Sequence, residues 1–180
     1  MDVLIEPVTA LALNCGFSHA GLLQVDTIKL QEEVRAACEV NKCKAYASNW
    51  SCPPACGTLG ECEARIRTYT TGLILQTTGA LEDSLDYESM TRLGVEHEQH
   101  LRSFGEQIRV QYPASLLLGA GPCRRCEVCT YPDAPCRFPE TMTTSMEAFG
   151  MVVSEVCTAN HLLYYYGPNT LTYVGCVLLR

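Results

Sequence analysis

Apolar residues recur at steps of three and four through Tyr87, Met90, Leu93, His97, Leu101, Phe104 and Ile108. This stripe predicts a long helix that begins at Asp83 or Ser84. Gly94 and Gly105 each weaken it by about 1 kcal/mol against alanine, so a kink or break is allowed. Residues 2 to 14 predict a shorter helix that stops at Gly16. His19 to Val25 reads as a strand, and Asp26 and Thr27 offer an N-cap for a helix reaching about Cys38, with Ile28, Leu30 and Val34 as its apolar side. Tyr69 to Thr78, Ala114 to Leu118 and Thr170 to Leu179 read as further strands. Thr144 and Glu147 have the spacing of a capping box, which predicts a helix through about Asn160 and then a turn from Tyr164 to Asn169. The alternation predicts one α/β domain over residues 1–180, a small mixed sheet flanked by helices.

Twelve cysteines change that ordinary picture. Cys123, Cys126, Cys129 and Cys136 form a Cys-x2-Cys-x2-Cys-x6-Cys run. Three thiols at overlapping intervals wrap one turn of backbone around a small soft inorganic core, and bacterial ferredoxins open their 4Fe–4S loops in nearly the same way. Neighbours this close are poorly placed for disulfides, and a tetrahedral zinc site is better served by two separated knuckles. Cys38, Cys43, Cys52, Cys56 and Cys62 form a second group, in a stretch that Pro53, Pro54, Gly57 and Gly60 turn into a folded-back loop. Cys43, Cys52 and Cys56 share that loop most closely; Cys38 or Cys62 supplies a fourth ligand. Five thiols exceed the four one cluster needs, and a site with only three would leave one iron open to a small molecule. Both loops are expected beside strand ends, where open α/β sheets place their ligands.

The expected cofactor is one or two 4Fe–4S clusters in an electron-transfer or redox accessory role. The rivals are zinc stapling an interaction module, and an enzyme with an open iron. Net charge is −7, which argues against nucleic acid as a partner. The two cysteine regions are nevertheless mildly basic, and Arg124 and Arg137 would stabilise a reduced cluster or dock an acidic redox partner protein. The first residues have no basic segment followed by an apolar run, and no apolar stretch approaches the roughly 20 residues of a membrane span, so the expectation is a cytoplasmic chain with reduced thiols.

Other residues have plainer explanations. His97 sits on the apolar stripe and reads as a hydrogen-bonded core histidine, since His97-Glu-Gln-His100 does not complete a zincin pattern. Glu147 is explained by its capping box, and Gly119 and Gly121 by space for the cysteine loop. Packing explains Tyr164, Tyr165 and Tyr166; Cys15, Cys157 and Cys176 read as inert buried thiols. No nucleophile elbow, phosphate loop or dinucleotide fingerprint is present, so any catalysis would have to run at the metal.

Two longer signatures carry a family resemblance. One is Cys38-Glu39-x-Asn41-x-Cys43-x-x-Tyr46-x-x-x-Trp50-x-Cys52-Pro53-Pro54. The other runs from Gly121-Pro122-Cys123-x-x-Cys126-x-x-Cys129 through Pro135-Cys136-Arg137-x-Pro139 to Ser145-Met146-Glu147-Ala148-x-Gly150. Together they resemble a prokaryotic family of cysteine-rich predicted metal-binding proteins of unknown function, over about Phe17 to Cys176. The resemblance implies metal binding, of iron–sulfur type and frequent in anaerobes, without a reaction. The family has glycine where this chain has Ala47, and its position for Cys56 is not consistently cysteine, which implies Cys62 as the reserve ligand.

Overall fold

The computed structural model describes residues 5–180. Ile5–Asn14 form α1, the described part of the first expected helix; residues 2 to 4 of that expectation lie outside the described residues. The chain then makes β1 (His19–Leu23), α2 (Glu32–Glu39), α3 (Leu59–Ile66), β2 (Thr71–Ala80), α4 (Tyr87–Gln111), β3 (Leu116–Gly119), β4 (Thr144–Ser145), α5 (Val153–Ala159) and β5 (Thr170–Leu179). The five strands lie in the order β1-β2-β5-β3-β4. Only β3 and β4 are parallel, so the sheet is mixed, as expected.

Strand alternation sorts the core into two layers. Leu73, Leu75, Leu117, Val177 and Leu179 face α1 and α4, where Val8, Ala12, Leu101, Phe104 and Ile108 meet them. Ile74, Leu116, Leu118, Val174, Cys176 and Leu178 face the other way, onto Ile66 of α3, Val156 and Cys157 of α5, and Met146, Phe149 and Met151. The result is an α/β/α sandwich.

The α4 stripe forms one unbroken helix, capped by Asp86 accepting from the Ser89 amide at 3.0 Å. Gly105 does not break it, because a β-carbon there would approach Leu117 to 2.9 Å; the glycine lets helix and sheet come close. Other expectations are corrected. Asp26 and Thr27 do not cap α2. They lie in a 3-10 turn, Val25–Thr27, and Leu30 pairs with Met151 in an isolated β-bridge that keeps the backbone extended until Glu32. The capping box is at Thr58 and Glu61, opening α3 inside the first cysteine stretch. At Thr144 the same spacing forms β4 instead, because Thr144 and Ser145 pair with Leu118 and Gly119. Tyr164 and Tyr165 are exposed rather than packed; only Tyr166 turns inward, donating to Gln76 Oε1 at 2.7 Å. No helix among the described residues is long and apolar enough to cross a membrane.

Candidate metal centre

The second cysteine loop leaves the carboxyl end of β3 and returns at β4, with one 3-10 turn, Pro139–Thr141, in between. Cys123, Cys126, Cys129 and Cys136 all line one small cavity within it, together with Trp50, Arg137 and Met142. The loop holds its shape through its own backbone: Thr130 donates to the Pro135 carbonyl at 2.9 Å, and Arg137 to the Val128 carbonyl at 2.9 Å. The Phe138 amide lies 3.4 Å from Cys136 Sγ, an N–H···S contact of the kind that tunes thiolate ligands.

The first cysteine loop does not leave a strand itself but reaches the ends of β3 and β4 through tertiary contacts. It lies between α2 and α3, held against the turn that follows β4. Cys38 lies in the last turn of α2, Cys43 is exposed on a turn, Cys52 is buried, and Cys62 is buried on α3. Cys38, Cys43 and Cys52 lie close enough for their charges to repel, and Cys52 also feels Cys123. Burial raises the thiol pKa of Cys38 and Cys52. Cys62 donates to the Cys56 carbonyl at 3.8 Å, and Cys56 in turn feels the charge of Cys52. The Cys56 thiol, with Arg35 beside it, lowers Cys62 to about 7, while the shared proton and burial push Cys56 up.

Arg35 is the residue that sequence spacing did not single out. One guanidinium nitrogen donates to the Ala148 carbonyl at 2.7 Å and lies 3.8 Å from Cys62 Sγ; the other donates to the Gly57 carbonyl at 2.7 Å. One side chain thus ties α2 to the first loop and to the turn after β4. Arg35→Met is expected to cost about 2–4 kcal/mol, read by urea unfolding, because charge-assisted bonds are lost and two carbonyls are orphaned. It should also lower metal retention by the first loop.

The two loops are joined. The Cys123 amide donates to Ser51 Oγ at 2.9 Å, Asn49 Nδ2 donates to the Cys123 carbonyl at 3.2 Å, and the Trp50 indole donates to the Ala134 carbonyl at 3.0 Å. Ser51 is fully buried and donates to Asn49 Oδ1 at 2.9 Å, so the junction is a closed network. Of the two arginines singled out by charge, Arg137 lines the cysteine cavity, whereas Arg124 faces a neighbouring, larger one. Cys15, Cys157 and Cys176 stand apart from both loops, although Cys15 is only half-buried. Among the described residues, no three His, Cys, Asp or Glu side chains meet around a single point as one bare ion would require. The donor set nonetheless fits a thiolate-bound group, since all four cysteines line one small cavity and thiolate is the soft donor that such groups take.

Fold and loops together define a cysteine-rich α/β protein with adjoining thiol sites. Residues 21–179 match the family described as "Predicted metal-binding protein (DUF2284)", and the chain belongs to that family. Neither the curated proteins nor the solved structures contain a match. Ala47, where the resemblance implies glycine, has φ +52°, the left-handed region where glycine is at ease and alanine is strained.

Proposed function

We propose that this metal-binding protein carries two thiolate-held 4Fe–4S clusters side by side and passes electrons between them and a redox partner. Cys123, Cys126, Cys129 and Cys136 would hold one. Cys38, Cys43 and Cys52 would hold the other, with Cys56 as fourth ligand and Cys62 in reserve. The observation that carries the reading is the Asn49–Ser51–Cys123 junction, closed around the buried Ser51, which packs one cysteine loop directly onto the other. Zinc stapling needs no such adjacency; a relay does. The clusters would supply one-electron chemistry. The chain would supply the N–H contact to Cys136 and the cationic Arg35 and Arg137, each of which favours the reduced, more negative state, against burial, which disfavours the added charge. Reduced thiols and a cytoplasmic setting belong to the same reading.

Anaerobic purification with iron, acid-labile sulfide and zinc measured on one sample tests it. About eight irons and eight sulfides per chain, and an electron paramagnetic resonance spectrum broadened by coupling between two reduced centres, are expected. Near-zero iron with tightly held zinc would overturn the clusters and leave the stapled-module reading.

A further inference from the structure

A second cavity, of about 190 Å³, opens between α4 and the carboxyl end of β3, on the far side of Cys123 from the cysteine cavity. Cys123 and Arg125 line both spaces, so the two are neighbours through one wall. Small-molecule pockets usually measure roughly 300–1,000 Å³, so this one suits a small metabolite rather than a nucleotide.

Its polar lining is unevenly charged. Four arginines (102, 109, 124 and 125) stand against Glu98 and Glu106, in a protein whose net charge is −7. Glu98 is already engaged by Arg102 at 3.5 Å. Arg109 is half-buried and has no ion-pair partner among the described residues; its nearest charged neighbours are Arg125, Glu140 and Glu106. Burial and Arg125 depress its pKa and outweigh the opposing pull of Glu140 and Glu106. Arg125 is held over the Phe138 ring at 4.9 Å.

The inner part is apolar, walled by Leu101, Leu117 and Tyr173, with one exception. His97 lines the cavity at 2 % exposure, and its Nε2 has no hydrogen-bond partner. Its Nδ1 is engaged on the sheet side, 3.0 Å from Thr77 Oγ1, which lies 3.1 Å from His100 Nδ1. The Thr77 hydroxyl has one proton and can donate to only one ring, so the pair of contacts fixes opposite tautomers at the two histidines. Gly175 lets the His97 ring pack close to the sheet: a β-carbon there would come within 3.3 Å of His97 Nε2. A buried nitrogen without a partner destabilises the fold unless something bonds to it.

We infer that this cavity binds a small organic carboxylate, its charged head between Arg109 and Arg125 and its apolar body inside, with a terminal polar group meeting His97 Nε2. The ligand would lie against the loop that carries Cys123. The inference does not depend on which metal that loop holds, and metal content is measured on the same samples so that the two readings fail separately.

The test uses 4-hydroxybenzoate as probe on the full chain, followed by calorimetry and by the ¹⁵N resonance of His97 Nε2. Saturable binding with a shifted Nε2 resonance is expected. 4-Hydroxybenzyl alcohol, which lacks the charge, and the Arg109→Gln variant should each weaken binding at least tenfold. Benzoate, which lacks the hydroxyl, should bind more weakly and leave Nε2 unmoved. Arg125→Gln, checked for an unchanged urea midpoint, repeats the charge test should Arg109→Gln fold poorly. No saturable binding of 4-hydroxybenzoate, binding indifferent to both arginine variants, or binding of inorganic phosphate alone with Nε2 unmoved would overturn the proposal.

Discussion

Cys126→Ser or Cys129→Ser should remove the metal of the second loop, cutting metal per chain by about half while the first loop keeps its own. Serine oxygen is a hard donor that serves neither iron–sulfur clusters nor zinc well. The sheet should survive, because neither cysteine belongs to either hydrophobic layer. Structural zinc contributes roughly 10–16 kcal/mol where a small domain has no other core. Here the core is independent of the loop, so the loss should appear as local opening. Residues 120–143 have one 3-10 turn for regular structure and carry Arg124, Arg125 and Arg137, so trypsin should cut there first. Elemental analysis beside timed trypsin digestion reads both effects. Unchanged metal content in both variants would show that the loop is not a ligand site.

How much of this could be read from residues alone depends on which forces act locally. The α4 stripe and β5 were legible because their periodicity reflects burial against the sheet: Thr170–Leu179 is a strand as expected, and Phe104 and Ile108 are buried as the stripe implied. The Cys123 loop was legible because its four thiols are close in sequence, and they line one cavity. The first loop was not, since the contact of Cys62 with Cys56 depends on Arg35 and α3, which arrive from other elements. One four-residue pattern occurs twice with opposite outcomes. Thr58 and Glu61 cap a helix, whereas Thr144 and Glu147 do not, because β3 claims Thr144 by pairing. Arg109 sat in the last turn of a helix, where a cation needs no explanation. Only the tertiary approach of Arg125 gives it meaning.

Acidification from pH 7 to pH 4 should destabilise the protein by about 3 kcal/mol more than it destabilises His97→Leu. Burial, with His100 adding repulsion, holds His97 at about 3 in the fold, whereas an unfolded histidine takes its proton near 6.5. Between those values the unfolded chain binds more protons than the folded one, so stability rises with pH through this window and is lost on acidification. The slope approaches about 1.4 kcal/mol per pH unit for the one group. His100 is lowered by burial too, against the pull of Glu96, and adds to the slope in the same direction. Urea midpoints for both proteins across the range measure the difference; parallel curves would mean that His97 protonates freely in the fold. A neutral His97 at pH 7 also fits its place in the cavity. Its ring can meet a ligand's polar end by hydrogen bond without adding charge to an apolar wall, and the arginines at the mouth alone select for an anion.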